Sequence, residues 1–223
     1  MTLVDVLGTS THDFYVRRWG DGRPHRRLAS WPLVFQTYEQ LLRRLRTDTG
    51  DLGYWHNLEQ DLALLQASIW MTPGLCFPPS PPSRSKTDRR IRGNGKLWAK
   101  LGEEQFQIFA IRQDVEIDDE ETEPTVKVAF REAKKSIRPS SVEVASFQVA
   151  IAFCPWKLDA SRGEHLEEWV EEHREREPRP LDRIFEVGLR VDIAPMTLSR
   201  SAVENEGWLY PGMTIVLGFQ PLN

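Results

Sequence analysis

A change of hydrophobic period divides this chain. Up to about residue 70, apolar residues recur at three- and four-residue spacing; from Lys96 onward they recur at every second position. The two patterns cannot be exchanged, because each decides which side chains share a face. Helices lead and strands dominate the second half, which places the chain in the α+β class. The expected architecture is two N-terminal helices packed on a mainly antiparallel β-sheet, with one further acidic helix.

The first helix follows a short strand within Leu3 to Leu7 and an arginine-rich segment containing Phe14, Val16 and Trp19. Ser30 can cap it, and Pro32 falls in the first turn, where a missing N–H costs nothing. Phe35, Tyr38, Leu41, Leu42 and Leu45 share one face, Arg43, Arg44 and Arg46 the other, and Gly50 ends it. A second helix after Asp51 carries Trp55, Leu58, Leu62, Leu65 and Ile69, and stops before Pro73 and Gly74.

The strand half begins with Phe106, Ile108 and Ala110, then Ile111 to Ile117. After the acidic run Asp118 to Glu123, strands with one buried face are expected at Val126–Val128–Phe130, at Val142–Val144 and at Phe147–Val149–Ile151–Phe153. Ser161 to Glu164 reads as a capping box opening an acidic helix with Leu166, Trp169 and Val170 on one side, ended by Pro178 and Pro180. Phe185 to Ile193 and Trp208 to Phe219 complete the strands, the last broken by a turn or bulge at Pro211-Gly212. Leu41, Leu45, Leu62, Leu65, Phe147, Ile151, Leu189 and Ile215 are expected to be buried. The expected organisation is one domain, residues 1–223, with an internal proline-rich, basic, mobile loop at residues 76–96.

A chain of 223 residues, 40% hydrophobic, can bury a real core, roughly 70% of its unfolded surface. Its formal net charge of −4 argues against wholesale nucleic-acid binding. Two distant cysteines, Cys76 and Cys154, exclude a disulfide framework, leave one bridge formally possible, and read as small buried hydrophobes in a reducing compartment. No apolar run is long enough to span a membrane, and the N-terminus has no signal-peptide pattern, so an intracellular protein is expected.

Catalytic motifs are missing. Gly93-Asn94-Gly95 has no phosphate-loop context. His12, His25, His56, His165 and His173 are scattered without metal-ligand spacing, and the acidic run lacks the glycine and terminal glutamate of a calcium loop. No catalytic residue, cofactor site or metal site is assigned, and a non-enzymatic role is expected.

The functional emphasis falls on the loop. Arg84, Lys86, Arg89, Arg90, Arg92, Lys96 and Lys100 set seven positive charges against Asp88. Such a patch attracts phosphates on RNA or on anionic lipid, and Ile91 and Trp98 within it can insert at a membrane interface. Pro78, Pro79, Pro81 and Pro82 form an extended run that a polyproline-binding partner could read.

The order of elements resembles the matrix proteins of rhabdoviruses, the vesiculovirus group above all. Thr37-Tyr38 with Leu41-Leu42 is similar to the opening of that family's first helix. From Gly163 to Trp208 come a helix carrying Trp169, then Phe185-Glu186-Val187-Gly188-Leu189-Arg190-Val191, then Glu206-Gly207-Trp208-Leu209. The family shows the same succession of Trp-bearing helix, strand and closing Gly-x-Trp strand. The chain departs from the family in lacking a Pro-Pro-x-Tyr motif: its proline run has no tyrosine. The resemblance implies a structural protein that self-associates and bridges the nucleocapsid to the inner membrane face during assembly and budding. Its implied locations are the virion, the host cytoplasm and the inner face of the host membrane. Its implied partners are other copies of itself, an anionic membrane surface, viral nucleoprotein–RNA, and host budding or proline-binding factors. Arg43, Arg44 and Arg46 are then the candidates for head-to-tail contact with the acidic regions of a neighbouring copy. The alternative is a cytoplasmic adaptor presenting the proline-rich basic loop.

Overall fold

The computed structural model describes residues 4–5, 12–17, 28–49, 57–78, 95–116, 128, 131–133, 135, 145–166, 168, 190–205 and 207–221. In chain order the elements are β1 (Val4–Asp5), β2 (His12–Arg17), α1 (Trp31–Thr49), α2 (Leu58–Met71), β3 (Gly74–Phe77), β4 (Gly95–Leu101), β5 (Glu104–Arg112), β6 (Val115–Glu116) and β7 (Phe147–Asp159). A short 3₁₀ helix (Ala160–His165) and the long strands β8 (Arg190–Asn205) and β9 (Trp208–Pro221) follow.

Among the described residues one nine-stranded sheet joins the first strands to the last in the order β1-β2-β8-β9-β7-β5-β4-β3, with β6 continuing alongside β7. The pairings are antiparallel except β5–β7 and β6–β7, which are parallel. The two helices pack against each other and on one face of this sheet, the α+β arrangement. One apolar cluster runs from Leu28 through the helices to Phe219. At its centre the Trp31 ring lies 5.8 Å from Phe35, 5.4 Å from Phe106 and 5.4 Å from Phe219, which ties α1 to β5 and β9.

The helix stripe is rotated from its expected position. Trp31, Val34, Phe35, Tyr38 and Leu42 are buried, whereas Leu41 and Leu45 are half-buried. The large Trp31 ring takes the centre and turns the helix toward its own row. In α2 Leu65 is buried and Leu62 half-buried; Phe147, Ile151 and Ile215 are buried. Leu189, Gly50, Asp51 and Trp55 lie outside the described residues. The start of α2 is fixed by a reciprocal capping box: the Gln60 N–H donates to the Asn57 side chain at 3.0 Å, and the Asn57 N–H to the Gln60 side chain at 3.3 Å.

Several expected strands are corrected. Phe147 to Trp156 is buried at every position, so β7 has two buried faces, not one. It lies mid-sheet between β5 and β9 and accordingly reads as a nearly continuous apolar run, interrupted at Gln148. Val128 is helical and exposed rather than part of a strand, and residues 131–133 and 135 are helical too. A parallel β5–β7 pair requires a crossover, and crossovers usually carry helix. His12–Arg17, the stretch leading into the arginine-rich segment, is a strand paired with β8. The last strand runs through Pro211-Gly212, with its register on β7 slipping between Trp156 and Leu158, so the irregularity is a bulge.

The capping box expected at Ser161 to Glu164 is also replaced. Asp159 is the cap: its carboxylate accepts from the Ser161 N–H at 2.8 Å and from the Ser161 hydroxyl at 2.6 Å. The helix it opens is a 3₁₀ helix that passes into Leu166. Val142, Val144, Trp169, Val170, Pro178, Pro180, Phe185 and the run Asp118 to Glu123 lie outside the described residues.

Candidate interaction surface

The loop expected at residues 76–96 is strand at both of its ends. Gly74–Phe77 and Gly95–Leu101 are the paired strands β3 and β4, in the register Cys76↔Ala99 and Phe77↔Trp98. Cys76 is fully buried beneath α2, which draws this end of the segment into the sheet. Lys96, Trp98 and Lys100 therefore belong to a strand, not to a loop. Pro78 is exposed at the end of β3. Pro79, Pro81, Pro82, Arg84, Lys86, Arg89, Arg90 and Arg92 lie outside the described residues.

The turn from α2 into β3 is tight. The Thr72 N–H donates to the Ser68 carbonyl at 3.1 Å and the Thr72 hydroxyl to the Ile69 carbonyl at 2.8 Å. A Cβ at Gly74 would lie 2.7 Å from a Leu101 methyl and 2.9 Å from the Ile69 carbonyl oxygen, so only glycine permits this approach. The last helical turn is thus held against the edge strand, and an aromatic row follows. The Trp70 ring meets Phe77 edge-on at 5.4 Å, and Phe77 stacks on Trp98 at 6.1 Å. The Trp70 indole N–H donates to the Cys76 carbonyl at 2.9 Å, which fixes the ring while leaving it 47% exposed. Met71, Leu75 and Phe77 beside it are 63%, 42% and 44% exposed.

Alternation places Leu75, Phe77, Lys96, Trp98 and Lys100 on the sheet face away from the helices. Lys96 is exposed, with its ammonium 5.8 Å from the Phe109 ring centre, and Lys100 is half-buried. The result is an exposed apolar rim with lysines on the adjoining face, joined in sequence to the arginines of residues 84–92. Exposed clusters of large apolar side chains mark contact surfaces more often than chance. Of this group only Trp98, Lys96 and Lys100 are singled out by sequence. Trp70, Met71, Leu75 and Phe77 are missed. The available signal was that Trp70 and Met71 fall off the helical stripe set by Leu65 and Ile69.

The arginines of α1 are partly committed within their own helix. Arg43 pairs with Glu39, whose carboxyl is pushed above its usual range by burial, an effect the arginine partly offsets. Arg44 is exposed and reaches Asp48 at 3.3 Å, an i,i+4 pair, worth only about 0.3–0.5 kcal/mol. The Arg46 side chain lies outside the described residues.

A second polar cluster is buried. Arg112 on β5 bonds Asp61 on α2 at 2.6 Å and approaches Asp114 at 3.6 Å, while the Tyr38 hydroxyl reaches Asp61 at 3.4 Å. It clamps both helices to the sheet. Cys76 and Cys154 are buried and unbridged, and burial pushes both thiols up to about 12, which disfavours the thiolate. Among the described residues no group of three or more histidine, cysteine, aspartate or glutamate side chains is arranged to hold a metal, and no helix is long and apolar enough to cross a membrane. Comparison with family models, curated proteins and solved structures gives no match.

Proposed function

We propose that this chain is a non-enzymatic, matrix-type assembly protein that docks on the anionic inner face of a membrane. The exposed row Trp70–Phe77, with Met71, Leu75 and the lysines of β4, carries the reading. Tryptophan and phenylalanine settle at the boundary between headgroups and acyl chains, and flanking lysines keep their ammonium groups among the phosphates. Each basic residue near an anionic leaflet contributes about 1 kcal/mol, fading within a Debye length of about 8 Å at physiological salt. Arg84, Lys86, Arg89, Arg90 and Arg92 lie in the segment between β3 and β4, so their charge adds to that of Lys96 and Lys100. Self-association and contact with viral nucleoprotein–RNA belong to the same reading, supported by the order of elements; the open surface of Arg44 is available to a neighbouring copy.

Flotation tests it. The protein should rise with vesicles containing phosphatidylserine and stay behind with neutral phosphatidylcholine. Removing the Phe77 and Trp70 rings together (Trp70→Ala with Phe77→Ala) should lower partitioning at least tenfold, since each ring buries about 1.5–3 kcal/mol of apolar surface. Reversing Arg89, Arg90 and Arg92 to glutamate should abolish it. If both variants float as well as the parent, the surface does not face lipid, and the adaptor reading with Pro78–Pro82 as the ligand becomes the better one.

A further inference from the structure

Among the described residues the sheet ends at β3, and an edge strand pairs with other strands unless something blocks it. The register identifies which backbone groups face outward. The two-residue turn Gly102-Glu103, with Gly102 at φ +61°, closes on the pair Leu101 and Glu104. Such a pair is hydrogen-bonded, so Leu97, Ala99 and Leu101 direct their N–H and C=O groups toward β5. Trp98 and Lys100 then direct theirs toward β3, where they meet Phe77 and Leu75. Gly74 and Cys76 are left facing away from the sheet.

Both are engaged there by groups from α2 and its turn. The Cys76 carbonyl accepts from the Trp70 indole N–H at 2.9 Å and from the Gln66 side-chain amide at 3.2 Å. The Gly74 N–H donates to the Thr72 carbonyl. Two side chains thus lie across the edge, and one of them keeps almost half of its ring in solvent.

We propose that Trp70 and Gln66 form a removable plug, and that the β3 edge beneath it pairs antiparallel with β3 of a second copy of this chain. Antiparallel pairing of a strand with its own copy is two-fold symmetric, so the outward groups of Gly74 and Cys76 in one copy find their complements in the other. Leu75 and Phe77, exposed on the far face, cover one another across the dyad. The edge offers only four residues, which suits an equally short strand better than a long extended peptide. This pairing rests on the self-association in the proposed reading. It covers Leu75 and Phe77, so it and lipid docking use this surface in turn, and its failure without lipid leaves the membrane part of that reading standing.

Sedimentation velocity without lipid tests the plug. Trp70→Phe combined with Gln66→Met removes both donors while keeping apolar bulk. The pair should strengthen self-association at least about tenfold over the parent, since the edge no longer has to break two hydrogen bonds before pairing. Each single change should give a smaller shift in the same direction. Adding Leu75→Lys to the double variant should return it to the parent's sedimentation, because lysine on an edge strand opposes pairing. Single variants that sediment as the parent does overturn the proposal, as does a dimer that survives Leu75→Lys.

Discussion

Replacing Trp31 with alanine is expected to cost about 3–5 kcal/mol, the range for removing a large buried aromatic side chain. Trp31 is fully buried and its ring touches Phe35, Phe106 and Phe219, so its loss opens a void where α1, β5 and β9 meet. Among the described residues the indole N–H has no hydrogen-bond partner. That orphan donor carries a penalty of about 1–3 kcal/mol, which Trp31→Phe removes. Phenylalanine should therefore be tolerated far better than alanine. Urea unfolding of both variants measures the difference; an alanine variant within 1 kcal/mol of the parent, by the cavity argument, would show that the helices do not pack on the sheet through this ring.

Replacing Arg112 with methionine should be comparably damaging. Asp61 is almost fully buried and its carboxylate takes the Arg112 guanidinium at 2.6 Å. Breaking such a pair from one side leaves an uncompensated buried charge, at about 3–5 kcal/mol. Asp61→Asn in the same chain removes that charge, so the double variant should be more stable than Arg112→Met alone. A double-mutant cycle read by thermal and urea unfolding checks this. Strict additivity of the two substitutions would mean that the carboxylate and guanidinium do not act as a unit. The clamp matters for the surface because α2 is the element that carries Trp70 and Met71 to the β3 edge.

The architecture was legible where a pattern was long. Phe147 to Phe153 and Met213 to Phe219 read as strands from their alternation, and the Leu65–Ile69 spacing read as a helix. Where runs were short, tertiary context decided. Val126–Val128–Phe130 has a strand's alternation over only five residues, and at Val128, which is helical, that pattern gives way within the crossover joining two parallel strands. Cys76 and Phe77 were masked by the prolines after them, since composition averaged over residues 76–96 hides a strand of four residues. The one-face reading of β7 failed for a different cause: Gln148 interrupts the apolar run, yet it is itself buried, its amide donating to Gln107 on β5 at 3.2 Å.

The surface was half legible. Basic residues announce themselves by charge, so Lys96 and Lys100 were found, though on a strand rather than a loop. Leu75 and Phe77 carry no signal of their own, because exposed apolar residues look like core residues in a sequence, and for Trp70 and Met71 the only signal is that they fall off the stripe of Leu65 and Ile69. Only the turn at Thr72–Gly74 brings the end of the helix beside the edge strand and leaves their rings and methyls outside. Motif-based reading cannot foresee such a juxtaposition.

Membrane docking is tested most directly at Met71. Both native cysteines are fully buried, so a nitroxide attached to the exposed Met71→Cys reports on one place. On vesicles containing phosphatidylserine, docking predicts that the label becomes accessible to molecular oxygen and protected from a water-soluble nickel chelate. A label that stays open to the chelate in the floated fraction would contradict it, because the protein would then be bound to lipid through some other face.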